Sequence, residues 1–120
     1  MPHIRLSIGK KLEPDVEQCL VDRLGKALNN IPEKEPKFTM IEINDSPKMY
    51  LGGVKQEDAA FVEIKYFSKF EYALRKAVAA DASKAISELA NIPIENVYLT
   101  INEYDTWGAL GGFRDIFYTG

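Results

Sequence analysis

The sequence predicts an α/β (α+β) fold built as a tandem β-α-β repeat, with a four-stranded mixed sheet and two helices on one face. Two observations carry this. An alternating strand, an apolar stripe at four-residue spacing and a second strand occur in that order, and the order recurs about sixty residues later. Between the copies, Gly52-Gly53 breaks the chain. A β-α-β unit brings its strands together in parallel through a right-handed crossover, so the helices of two fused units can pack on one side of a common sheet. At 120 residues the chain is one domain, 1–120, large enough to bury a real core.

The first strand spans His3 to Ile8, with Ile4, Leu6 and Ile8 on one face and His3, Arg5 and Ser7 on the other. Pro14 suits the first turn of a helix, and Val16, Leu20, Leu24 and Leu28 form its buried stripe. Asn29, Asn30 and Pro32 end it. Phe38 to Ile43 (FTMIEI) reads as a second strand, apolar on both faces and so largely covered. In the second copy, Phe61 to Phe67 (FVEIKYF) is a strand, and Ser68 with Glu71 forms a capping box opening a helix. That helix buries Leu74, Val78, Ala82, Ile86 and Leu89, and Asn91 and Pro93 close it. Val97 to Asn102 (VYLTIN) is the fourth strand, with Val97, Leu99 and Ile101 facing the helices. The opposite sheet face carries Arg5, Ser7, Glu63, Lys65, Tyr98 and Thr100. It is too mixed to stay fully open to water and too polar for a core, so an oligomer is expected.

Composition excludes several classes of function. Net charge is −3 and the Lys and Arg residues are scattered, which gives no footprint for nucleic acid. A single cysteine, Cys19, allows no internal disulfide and no cysteine metal cluster. Cys19 falls within the first helical pattern and reads as a buried structural thiol. With one histidine, His3, a His-rich metal site is equally out of reach, and no metal is expected. Neither a signal-peptide run nor a stretch of transmembrane length occurs, so no membrane association is expected and the compartment reads as cytosolic. Nucleophile elbow, P-loop and dinucleotide fingerprints are absent.

Pro2 poses the functional question. Proline lacks an N–H and fixes φ, so it is tolerated at the first residue of a strand without further purpose. Yet trimming of Met1 would leave Pro2 as a free secondary amine. An α-amine titrates at about 8 in model peptides. Apolar burial beside a lysine would disfavour its charged form and poise it for proton abstraction next to a carbonyl. The stretch WGALGGF, Trp107 to Phe113, reads as a glycine loop bracketed by aromatics that would close a pocket when packed against a neighbour.

The Met-Pro start, the two β-α-β units, Lys34-Glu35-Pro36-Lys37-Phe38 ahead of strand two, and Met49-Tyr50-Leu51-Gly52-Gly53 together resemble the tautomerase superfamily. The nearest branch is macrophage migration inhibitory factor and its homologues. Asn96-Val97-Tyr98-Leu99 followed by Trp107-Gly108 and Phe113 fits the same branch, so the resemblance covers nearly the whole chain.

That resemblance implies a trimeric tautomerase-like fold. It implies a cofactor-free keto–enol tautomerase of small, phenylpyruvate-like α-keto acids with Pro2 as general base. Lys34, two residues before a proline and four before an aromatic, matches the lysine that holds the substrate carboxylate; Lys37 is its rival but lies too close to the strand. Phe67 matches the position whose backbone N–H meets substrate, and Phe113 an apolar wall of the pocket. Tyr98 matches a tyrosine that reaches into the neighbouring subunit's pocket of a homotrimer, whereas Thr100 stands where the family has an asparagine. The Cys-x-x-Cys of vertebrate members is replaced by Ala59-Ala60-Phe61-Val62, which argues against thiol redox chemistry. The alternative reading is a secreted, cytokine-like signalling protein with a receptor, exported without a signal peptide, whose pocket is incidental. A dehalogenase or hydratase on the same proline would need a nearby arginine, and Arg5 faces away if Pro2 shares a face with Ile4.

Overall fold

A computed structural model describes residues 2–32 and 36–118. Strand β1 (His3–Ile8) leads into helix α1 (Pro14–Ala27) and β2 (Met40–Asp45). A small hairpin, β3 (Tyr50–Leu51) and β4 (Val54–Lys55), joins this unit to β5 (Ala60–Phe67), α2 (Tyr72–Ala90) and β6 (Val97–Tyr104). The described chain ends with a second hairpin, β7 (Thr106–Ala109) and β8 (Gly112–Asp115), and a bridge from Asp115 to Tyr118. Among the described residues no helix is long and apolar enough to cross a membrane.

The main sheet has the order β2-β1-β5-β6. Strands β1 and β2 run parallel, β1 and β5 antiparallel, β5 and β6 parallel. Each β-α-β unit thus supplies one parallel pair, and the two units meet where His3 faces Lys65 and Ile8 faces Ala60. This is the expected mixed sheet. Both helices cover one face of it. Leu20 and Leu24 from α1, and Val78, Ala82 and Ile86 from α2, pack with Ile4, Leu6, Ile8, Val62 and Ile64, all fully buried. Burying one such aliphatic side chain is worth about 1.5–3 kcal/mol, so this seam holds the layers together.

Five expectations are corrected. The second strand begins at Met40, and Phe38 lies in a 3₁₀ turn over Pro36–Phe38. The ladder sets that limit: Met40 N–H donates to the Pro2 carbonyl at 3.0 Å, the first acceptor β1 offers. Strand β2 is also an edge strand, covered on one face only: Ile41 and Ile43 pack against the core, while Met40 is exposed. Ser68 and Glu71 form no capping box. Glu71 itself is the N-cap of α2, without a side-chain bond, and Ser68 takes a left-handed φ of 83°. A carboxylate from β6 serves the helix approach instead, with Glu103 Oε2 accepting the Phe70 N–H at 2.8 Å. The glycine-bracketed stretch WGALGGF is a hairpin rather than a loop. Finally, Cys19 is exposed, one position off the stripe of α1.

Helix α1 begins with Pro14, whose missing N–H costs nothing in a first turn. Asp15 and Glu17 lie near its positive end and Lys26 near its negative end. Helix α2 stops at Asn91, which adopts the left-handed conformation (φ 54°) common at helix ends. The N–H of Ile92 then returns to the Ser87 carbonyl at 3.0 Å.

Candidate active site

Pro2 stands directly ahead of β1, where a strand residue without an N–H is tolerated. Its carbonyl is fixed by Met40, and the residue is buried. It nevertheless lines a cavity of about 390 Å³. The other walls are His3, Phe38, Met40 and the run Trp107 to Leu110. Three pieces of the fold meet there: the start of β1, the turn that leads into β2, and the β7–β8 hairpin. Pairing of His3 with Met40 across the parallel ladder brings the first two together. The hairpin is steadied by Trp107, whose ring packs against Tyr104 at 6.2 Å between centroids.

The cavity is mainly aromatic and aliphatic. Its described polar side chain is His3, one-quarter exposed, with Nε2 3.6 Å from Glu42 Oε1. Arg5 Nε approaches the other oxygen of Glu42 at 3.3 Å, on the same outer sheet face as His3, and Arg5 is not among the residues that line the cavity. Lys37 Nζ lies 5.1 Å from the centroid of the Phe38 ring, within cation–π range. Lys34 lies outside the described residues. Among the described residues no group of three or more His, Cys, Asp or Glu side chains is placed to hold a metal ion.

Phe67 ends β5, two residues beyond the Lys65 that faces His3, so the close of that strand runs beside the chain start. Its ring carries the Arg114 guanidinium at 4.8 Å. Phe113 faces Gly108 across the hairpin and is exposed, outside the described cavity lining. Tyr98 is elsewhere. It pairs with Phe61 and lines a second cavity of about 160 Å³ with Met49, Tyr50, Leu51, Ala59, Ala60, Phe61 and Asn96. Phe61 and Lys65 are four residues apart on β5, so Tyr98 sits about 13 Å along the sheet from the His3 end. Within one chain it does not reach Pro2. Thr100 is half-buried on the same strand, opposite Glu63.

No family model and no curated protein sequence matches this chain. Solved structures do. MIF2 of Leishmania major superposes with a TM-score of 0.85 at 19% identity, covering 94% of this chain and 97% of its own. Pt0534 inactivated by 2-oxo-3-pentynoate gives 0.83 at 16% identity, covering 92% and 93%. An asymmetric trimer of fused 4-OT gives 0.81 at 16% identity, covering 92% and 94%. The chain has the fold that these structures share. Within this fold, residues that the sequence did not single out as site residues, His3, Phe38 and Met40, complete the walls around Pro2. The Trp107–Gly108 segment does help close a pocket, and it does so around Pro2 of its own chain. Phe38 was visible as part of a quoted motif; His3 and Met40 depend on strand register, which no motif records.

Proposed function

We propose that this chain is a cofactor-free keto–enol tautomerase of small α-keto acids of the phenylpyruvate type, with Pro2 as its general base once Met1 is removed. One observation carries the reading: Pro2 is buried at the wall of an aromatic cavity large enough for such a molecule. A carbonyl acidifies the neighbouring C–H, so a neutral amine beside it can take the proton. The electron pair of that bond forms the enol C=C while the carbonyl π electrons move to oxygen. The same proton, now on the Pro2 nitrogen, is then delivered to the oxygen. Apolar walls disfavour the charged ammonium and so favour its return. In this reading Lys34 holds the substrate carboxylate, the Phe67 backbone N–H contacts the substrate, and Phe113 adds an apolar wall. Tyr98 is supplied by a neighbouring copy in a homotrimer, which fits its distance from Pro2 in a single chain.

The tautomerase-fold protein Pt0534 is inactivated by 2-oxo-3-pentynoate, an α-keto acid whose alkyne is conjugated to the ketone. Such an alkyne accepts an amine at its far carbon, and the reagent thereby tests the proposed base directly. Processed protein should lose phenylpyruvate tautomerase activity and gain one adduct, mapped to the peptide that begins at Pro2. Protein retaining Met1 has an amide at that nitrogen, whose lone pair is delocalised. It should be inactive and unlabelled at Pro2. Equal activity of the two forms would overturn the assignment of Pro2.

A further inference from the structure

We infer that His3 is an anion contact in the Pro2 cavity and sets a pH-dependent preference for ligands carrying a carboxylate; this rests on the tautomerase reading of the cavity. His3 lines the same cavity as Pro2 and is three-quarters buried. It is the only histidine in the chain. Its Nε2 lies 3.6 Å from Glu42 Oε1, beyond hydrogen-bond distance, and no other described residue takes that nitrogen. Glu42 is meanwhile shared with Arg5 at 3.3 Å. One carboxylate therefore faces two bases, and protonation of His3 takes the His3–Glu42–Arg5 group from neutral to a single positive charge at the cavity edge.

Imidazole is the side chain whose charge changes most readily near neutral pH. The charged groups around it are few and can be named. Glu42 faces it from β2, and Arg5 lies two residues along β1. Lys65 is its register partner on β5, with Glu63 opposite Arg5. Lys37 sits over Phe38, the Pro2 amine shares the cavity, and the hairpin wall Trp107 to Leu110 carries no titratable side chain. Of the described groups facing His3, only Glu42 and Glu63 are negative, and each is beside Arg5. A bound carboxylate would thus supply the hydrogen-bond acceptor that the His3 nitrogen lacks. The contact would be made in ground and transition states alike, so it acts on KM rather than on kcat. By linkage, a ligand that prefers protonated His3 must raise its titration midpoint.

A single histidine makes the test direct. The His3 imidazole proton resonance is followed by NMR from pH 5 to 9, with and without 3-phenylpropanoate, a carboxylate that has no keto group to tautomerise. The midpoint should move upward with the ligand, and KM for phenylpyruvate should rise roughly fivefold from pH 5.5 to 8. In His3→Gln that rise should vanish while kcat is retained. Once Met1 is removed, Pro2 is a second basic group in this cavity, and the His3 resonance separates the two. If 3-phenylpropanoate binds and leaves the His3 midpoint unmoved, the contact is overturned. The contact is also overturned if His3→Gln keeps the full pH dependence of KM. Absence of tautomerase activity with a shifted His3 midpoint would instead sink the Pro2 reading and leave the anion contact standing.

Discussion

Tyr66 is fully buried on the helix-facing side of β5, and its hydroxyl donates to Glu103 Oε2 at 2.9 Å. The same carboxylate oxygen accepts the Phe70 N–H, while Arg75 Nε stands 3.9 Å from Oε1, too far for a hydrogen bond. Burial first, and then the bond and charge of Glu103, push the Tyr66 phenol well above its ordinary value of about 10; Arg75 opposes this weakly. Above pH 10 the unfolded chain releases a proton that the folded chain keeps. Stability contributed by Tyr66 is therefore present in full below about pH 10 and is lost as pH rises toward the folded-state value. The expected slope is up to about 1.4 kcal/mol per pH unit. Tyr66→Phe should remove that slope in urea unfolding between pH 9 and 11, and cost about 1–3 kcal/mol at pH 7 by taking a partner from a partly buried carboxylate. An unchanged alkaline slope would show that Tyr66 does not control it. At the proposed substrate site, Lys34 is the residue for which the family resemblance implies a contact with the substrate carboxylate. Lys34→Ala should raise KM for phenylpyruvate about ten- to a hundredfold with a smaller change in kcat, since a hydrogen bond to a charged group is worth roughly 1.5–3 kcal/mol. An unchanged KM would pass the role to Lys37.

The two hairpins solve the same turn problem with different residues. Each has a two-residue connection with φ positive at both positions: Gly52 and Gly53 at 62° and 82°, Leu110 and Gly111 at 53° and 76°. Tight hairpins favour this geometry because it matches strand twist, and Asn-Gly or Gly-Gly supply it without strain. A leucine there costs roughly 1–2 kcal/mol from its Cβ. Leu110 is also 83% exposed while lining the Pro2 cavity. In the proposed reading, an aromatic substrate in the cavity would cover Leu110. Leu110→Asn should stabilise the fold by about 1 kcal/mol in thermal unfolding and raise KM for an aromatic keto acid; a variant with lower stability would show that the turn is not strained. The helices and main strands were legible because long periods of four and two leave clear stripes, as in Leu20–Leu24–Leu28 and Ile4–Leu6–Ile8. Strands of two and four residues leave none, and so the sequence shows only a break and a loop where β3, β4, β7 and β8 form. Ser68 misled because the acceptor that orders the start of α2 is Glu103, 35 residues away in sequence. Of the site, Pro2 and Trp107 were legible from motifs. His3 and Met40 join them only through the β1–β2 register, which the alternating pattern leaves open by any even shift.

The whole molecule is more extended than its length requires. Its radius of gyration is 15.0 Å, against roughly 13.6 Å for a compact domain of this size, and its long axis measures 49 Å. Both edges of the main sheet, β2 and β6, are open. Met40, Tyr50, Val54, Tyr98, Phe113, Phe117 and Tyr118 are each more than half exposed. Exposed apolar residues in that number, spread along open strands and a projecting hairpin, fit a surface that other copies cover. The expected assembly is a closed ring of three, and sedimentation equilibrium at micromolar concentration should return three times the 13.5 kDa chain mass. A functional measurement carries this further, because the proposed site needs Pro2 from one copy and Tyr98 from the next. Protomers retaining Met1 should form inactive homotrimers, and protomers carrying Tyr98→Ala weakly active ones. After mixing, unfolding and refolding together in equal amounts, a random ring joins an intact Pro2 to an intact Tyr98 at about one interface in four. The mixture should therefore recover up to about a quarter of the wild-type rate, well above either parent. A mixture that forms trimers and recovers nothing would place Tyr98 outside the site, and a stable monomer would remove the shared site altogether.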